Sequence, residues 1–180
     1  PPPPPPPANE TCAVATFVAD GQVMLANNSA AANNGTATCA TSGRDLWYAY
    51  RPTVGGTVNI QTCGSSFDTV LSVFGSCGGS QLACDDDDAT NIGPCATTVQ
   101  SYIRMTMVAG EDYYIRVAGY GSNPAVGDIV FQITGGGGIG TPATNDCANR
   151  SGIGLGASAF STINSSTDGP THVACTFGGN

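Results

Sequence analysis

Thr57-Val58-Asn59-Ile60-Gln61-Thr62 and, seven residues on, Thr69-Val70-Leu71-Ser72-Val73-Phe74 decide the fold. The first alternates apolar and polar side chains, the period of a strand with one face on a core. The second is a short, almost continuous apolar run closed by Gly75, the mark of a strand buried on both faces. Working outward, Leu46-Trp47-Tyr48-Ala49-Tyr50 is an aromatic run. Tyr102–Met107, Tyr113–Val117 and Asp128–Ile133 repeat the strand pattern, with Gly-Gly, Ala-Gly and Asn-Pro between them. No stretch sustains a period of 3.6 residues. Many short strands separated by turns predict an all-β sandwich or jelly roll.

The chain has 180 residues, 41% of them apolar and 10% charged, with 25 Gly and 12 Pro. That is a folded, turn-rich chain of one domain with some length left over. Thirteen acidic residues face five arginines and no lysine, a formal charge of -8 that repels nucleic-acid backbones. No window approaches the ~18 apolar residues of a membrane-spanning helix. The start at Pro1, with neither Met nor signal sequence, reads as a processed or excised segment. Eight cysteines without a CxxC pair argue for disulfides over zinc or redox sites, and therefore for an extracellular or cell-surface location.

Four segments are expected. Residues 1–8 are a polyproline segment, extended and stiff. Residues 9–134 form a complete sandwich, and 135–144 a flexible Gly-rich linker. Residues 145–180 begin the chain again: Asn145-Asp146-Cys147-Ala148 echoes Asn9-Glu10-Thr11-Cys12-Ala13, and Gly156 follows Gly21 by the offset of 135 that relates Cys147 to Cys12. This partial second repeat holds only the first strands, and so short a piece needs something to pack on. If it is self-contained, Cys147 pairs with Cys175, which suggests Cys12 with Cys39. The remaining four, Cys63, Cys77, Cys84 and Cys95, allow three connectivities, most simply Cys63 with Cys77 and Cys84 with Cys95.

Asp45–Tyr50, Thr62–Leu71, Ala83-Cys84-Asp85-Asp86 and Gly110–Tyr120, in that order, resemble the bacterial pre-peptidase C-terminal domain. Thr167-Asp168-Gly169-Pro170 is similar to that family's entry segment. The resemblance implies a jelly-roll-like β-sandwich, carried in tandem on secreted enzymes and surface proteins, without catalytic activity of its own. The family's wider relatives include calcium-dependent collagen-binding modules, so the acids need weighing. Asp85, Asp86, Asp87 and Asp88 offer hard oxygen ligands on one loop, as calcium requires, and are the candidate metal ligands. Their spacing is not that of an EF-hand, and adjacent aspartates are also commonly a solvated loop. Asp68 is expected to pin its turn through main-chain N–H groups. Trp47 and the tyrosines are expected to pack rather than to form a sugar-stacking platform.

A hydrolase triad needs a base, and the one histidine, His172, has no nucleophile motif beside it. Without lysine there is no Schiff base or Ser-Lys dyad, and the expectation is no enzymatic activity. Asn9, Asn27, Asn34, Asn149 and Asn164 begin N-glycosylation sequons. The leading expectation is a non-catalytic extracellular structural module that self-associates head to tail into a fibre or surface layer, the partial repeat adding a strand to the next subunit. The alternative is an accessory polysaccharide- or protein-binding module of a secreted hydrolase or adhesin, with or without calcium.

Overall fold

The computed structural model describes residues 5–88, 93–95 and 99–137. Nine strands follow one short 3-10 turn at Cys12–Val14: β1 (Thr16–Phe17), β2 (Val23–Asn27), β3 (Ser42–Tyr50), β4 (Gly56–Gln61), β5 (Thr69–Phe74), β6 (Gln81–Asp85), β7 (Tyr102–Met107), β8 (Tyr113–Tyr120) and β9 (Asp128–Thr134). They form a five-stranded sheet in the order β1-β3-β8-β5-β6 and a four-stranded sheet in the order β2-β9-β4-β7. Every pairing is antiparallel except the two-residue contact of β1 with β3. The expected sandwich is therefore present. The partial second repeat lies outside the described residues.

The core follows from the period of two. Leu46, Tyr48 and Tyr50 on β3, Leu71 and Val73 on β5, and Ile115 and Val117 on β8 face Val58, Ile60, Ile103, Ile129, Phe131 and Ile133 of the other sheet. Tyr48 stacks on Phe131 across the interface, ring centroids 4.4 Å apart. At roughly 1.5–3 kcal/mol for each large apolar side chain removed from water, this interface is the main stabilising term.

The two outer faces differ. On the five-stranded sheet the outward residues Asp45, Trp47, Ser72 and Arg116 are also buried, because the β2–β3 connection, residues 28–41, is strapped across them. Gly35 lies so close that a Cβ there would stand 2.7 Å from Arg116 Nε and 3.2 Å from Trp47 Cζ2. Under the strap, Arg116 forms an ion pair of 2.5 Å with Asp45, neither side chain exposed. Arg116 also donates to the Gly35 carbonyl at 3.1 Å and Ser42 Oγ at 3.0 Å, while Asn34 N–H donates to Asp45 Oδ2 at 2.7 Å. The hydrogen bonds and the Arg116 charge offset part of the desolvation, and burial still leaves the Asp45 carboxyl raised above its ordinary value.

The strap corrects the expected disulfides. Cys12 bonds Cys77, Cys39 bonds Cys84 and Cys63 bonds Cys95, with Cα–Cα distances of 5.5, 5.8 and 5.2 Å. Cys12–Cys39, Cys63–Cys77 and Cys84–Cys95 do not form. The first repeat is not cross-linked within its own opening segment, because that segment lies over the sheet and is tied to the β5–β6 hairpin beneath it. Cys147 and Cys175 are outside the described residues. At the start of the segment expected as a linker, Gly136 is buried, accepts from the N–H groups of Thr53 and Val54 at 2.8 and 3.0 Å, and donates to Asp20 Oδ1 at 3.0 Å; residues 138–144 are outside the described residues. Gly135–Gly137 thus belong to the sandwich.

Candidate functional site

The β2–β3, β4–β5, β6–β7 and β8–β9 loops share one end of the sandwich, as the antiparallel registers require. There β5 begins where β6 ends: Leu71 pairs with Asp85 and Ser72 with Cys84. Continuing that register brings Asp68, just before β5, to the same corner as Asp86 and Asp87, just after β6. One carboxylate oxygen from each of the three lies within 4.8 Å of the others. Asp87 is exposed, and the other two are half-buried.

A buried hydroxyl cluster fixes this corner. Thr62 Oγ1 and Thr69 Oγ1 are 2.6 Å apart, and Ser101 N–H donates to both, at 3.0 and 3.1 Å. Ser101 Oγ lies 2.6 Å from the Thr69 carbonyl oxygen and 2.9 Å from that of Asp86. Gln100 Nε2 donates to the Ser65 carbonyl at 3.0 Å, and the Cys63–Cys95 bridge joins the same two loops covalently. Groups held by hydrogen bonds and a disulfide on strand ends are preorganised in a way a free loop is not.

The electrostatics are those of uncompensated acids. Burial, followed by the charges of Asp87, Asp68 and Asp85, pushes the Asp86 carboxyl up to about 6. Burial and then Asp87 raise that of Asp68. Oδ1 of Asp68 and Oδ1 of Asp86 are buried without a hydrogen-bond partner among the described residues. Both described ion pairs, Arg51–Asp112 and Arg116–Asp45, involve other acids. Three hard oxygens within the diameter of a calcium coordination shell, where Ca–O distances are about 2.3–2.6 Å, fit a divalent cation.

The candidate ligands are redistributed relative to the sequence reading. Asp86 and Asp87 meet at the cluster. Asp85 instead accepts main-chain N–H bonds from Asp88 at 2.9 Å and Tyr102 at 2.8 Å, the turn-pinning role expected of Asp68. Asp88 is buried at positive φ, 39°. Asp68, read as a turn residue, belongs with the acids. The signal that could have placed it was a hairpin joining residues 69–74 to 81–85, which carries Asp68 to the end of β6. Trp47, Tyr48, Tyr50 and Tyr113 are buried, as expected of packing residues; Tyr120 is 46% exposed. Among the sequons, Asn9 is buried with its amide nitrogen donating to the Trp47 carbonyl at 2.9 Å, which closes it to a glycan in the folded protein. Asn27 and Asn34 are exposed; Asn149 and Asn164 lie outside the described residues.

Comparison with known proteins places the module. Among solved structures, the pre-peptidase C-terminal domain of the collagenase from Bacillus anthracis is similar, with a TM-score of 0.44 and 9% identity over 67% of this chain and 94% of that one. No curated protein matches the chain significantly. Residues 8–133 match the family model described as galactose binding domain-like, associated with T9SS, a secreted-protein module. The match spans more than half of the sequence and the whole of the described sandwich core, and the chain belongs to that galactose-binding-domain-like family.

Proposed function

We propose that the chain is a non-catalytic recognition module of an extracellular protein, binding polysaccharide at the loop-bearing end of its sandwich with calcium held by Asp68, Asp86 and Asp87. The observation that carries this reading is the convergence of three carboxylates from two cross-linked loops, two of them with buried, unpartnered oxygens. A bound cation would neutralise the cluster and draw the two loops together, giving a sugar ligand a fixed surface. The family's galactose-binding description favours carbohydrate over protein as the ligand. Three disulfides and the family's association with T9SS support an extracellular setting. The absence of lysine from the sequence and the oxidation of all six described cysteines leave the module without an amine or, among the described residues, a thiol nucleophile.

The test is calorimetric. Calcium at 100 times its dissociation constant should stabilise the fold by about 2.7 kcal/mol and raise the melting temperature. Chelator should reverse the gain, Asp86→Asn should abolish it, and binding to a polysaccharide array should fall with it. A melt indifferent to both calcium and chelator removes the cation from the reading. Full array binding in chelator separates sugar recognition from metal.

Self-association is the second reading, and one feature favours it. β2 is an edge strand without charge, proline or bulge, with Leu25 77% and Val23 51% exposed. Edges of that kind invite strand addition. Sedimentation showing monodisperse monomers at high concentration would count against assembly.

A further inference from the structure

The edges of the two sheets are guarded unequally. β1 pairs over two residues only. β6 is tied to the strap by the Cys39–Cys84 bridge and by Thr38 N–H, which donates to Gln81 Oε1 at 3.2 Å. β7 carries the exposed charge of Arg104, and Gly93 packs against the Tyr102 ring at its start. Charged side chains and covering segments are what keep an edge from pairing. Among the described residues β2 has neither. It is uncharged, with Met24 and Ala26 turned to the core and Val23, Leu25 and Asn27 exposed on the outer face.

Which main-chain groups of β2 stand open follows from the neighbouring strand. The Asp128 carbonyl accepts from Ser66 N–H at 2.9 Å, while the N–H groups of Asp128 and Val130 donate to Ser66 Oγ and Ser65 Oγ at 2.8 and 3.0 Å. Residues 128 and 130 of β9 thus direct their main-chain groups away from β2, so Ile129 and Phe131 direct theirs toward it. Met24 lies opposite Phe131 and Ala26 opposite Ile129, which makes Met24 and Ala26 the hydrogen-bonded residues of β2. Asn28 N–H, donating to the Gly127 carbonyl at 3.3 Å, continues the alternation. Val23, Leu25 and Asn27 therefore point their N–H and C=O groups out along the edge, where no other described strand pairs with them.

A strand that fills this edge must be uncharged and must offer open groups at every second residue, and β2 meets both requirements with itself. A two-fold axis at Leu25 sets Leu25 against Leu25 of the second copy and Val23 against its Asn27. Every residue of a hydrogen-bonded pair is then one whose groups are open. The joined face is apolar at its centre, where Val130 lies beside Leu25 in each copy. The acids do not oppose each other. Asp128 already accepts from Asn27 Nδ2 at 2.7 Å, and the two-fold puts it in line with Val23 and Gln132 of the second copy rather than with that copy's Asp128. For a chain of net charge -8, an uncharged edge is where a copy can approach. β1, joined to β2 directly through residues 18–22, brings Phe17, 61% exposed, to the same side.

We infer that two copies of the chain join by antiparallel pairing of β2 with β2 about a two-fold at Leu25, which runs their four-stranded sheets together edge to edge. Such pairing rests on the self-association reading and deepens it: a contact that meets itself closes on two copies, whereas one between β2 and a different edge grows into a fibre. The experiment is residue-resolved amide hydrogen exchange of the full chain at low and high protein concentration, beside sedimentation velocity. The expected result is a monomer–dimer equilibrium in which the Val23, Leu25 and Asn27 amides exchange about tenfold more slowly in the dimer, while those of Met24 and Ala26, bonded to β9 in either state, change little. Leu25→Arg should weaken dimerisation on the order of a hundredfold, because the two introduced charges meet at the axis. Monomers at every concentration overturn both this pairing and the self-association reading beneath it. A dimer whose β2 amides exchange as in the monomer overturns the pairing alone. Assemblies that grow past two copies, with β7 amides protected, overturn the two-fold in favour of head-to-tail addition. The wild-type exchange pattern decides the matter even if the Leu25→Arg variant fails to fold.

Discussion

At the scale of the residue, two charged groups have opposite surroundings. Arg116 and Asp45 are sealed beneath the strap and paired with each other, with only Arg116 Nε left without a partner among the described residues, so losing one partner strands the other charge in the interior. Arg116→Leu should cost about 3–5 kcal/mol in urea denaturation, far more than any exposed ion pair. Asp86 is desolvated by burial and then crowded by like charges, which push its carboxyl up to about 6 against an ordinary value of 3.8. Because the folded protein binds this proton more tightly than the unfolded chain, the contribution to stability is full below pH 3.8 and is lost as pH rises through 6. Asp68 shifts in the same direction. In calcium-free solution Asp86→Asn should therefore stabilise the fold at pH 7, by on the order of 1 kcal/mol after allowance for solvent screening, and should leave it unchanged near pH 3.5. A gain that persists at low pH would deny that the ionised carboxylate is the source of the cost.

At the scale of the element, the legibility of the sequence followed burial. β4 and β7 through β9 show in their apolar patterns because each sets a core face of large side chains against polar residues or against a second buried face. β2 is short with an exposed flank, and β6 turns only small residues such as Ala83 inward, so neither carries a strong period. With β6 unread, Asp68 could not be brought to the acids. The disulfides were illegible for a related reason: spacing along the chain says nothing of a strap that crosses three strands. A signal did exist. Thr69–Phe74 and Tyr113–Ala118 barely alternate, and Arg116 sits mid-run, as expected of strands covered on both faces. Opening the strap should show its worth: Cys39→Ser with Cys84→Ser should cost about 4 kcal/mol on the chain-entropy account of a closed loop. It should also shift Trp47 fluorescence to the red as water reaches the ring, with little change in far-ultraviolet circular dichroism.

At the scale of the whole molecule, the three bridges interlock: each loop they close overlaps the next in sequence. Cys12 and Cys95 are 83 peptide steps apart along the main chain, yet only two bridges and the 14 steps between Cys63 and Cys77 separate them covalently. A pull applied between the two ends of the sandwich thus enters the β5–β6 hairpin through sulfur and bypasses β1 to β4. In single-molecule stretching the oxidised sandwich should release only β7 to β9, which follow Cys95, about 140 Å of chain, and reductant should release roughly 240 Å more at about 3.5 Å per residue. An equal extension before and after reduction would deny the interlock. In a wall or secreted matrix such a module behaves as a link of limited reach: tension can draw out the strands that follow Cys95, while the bridged stretch from Cys12 to Cys95 keeps its length under load.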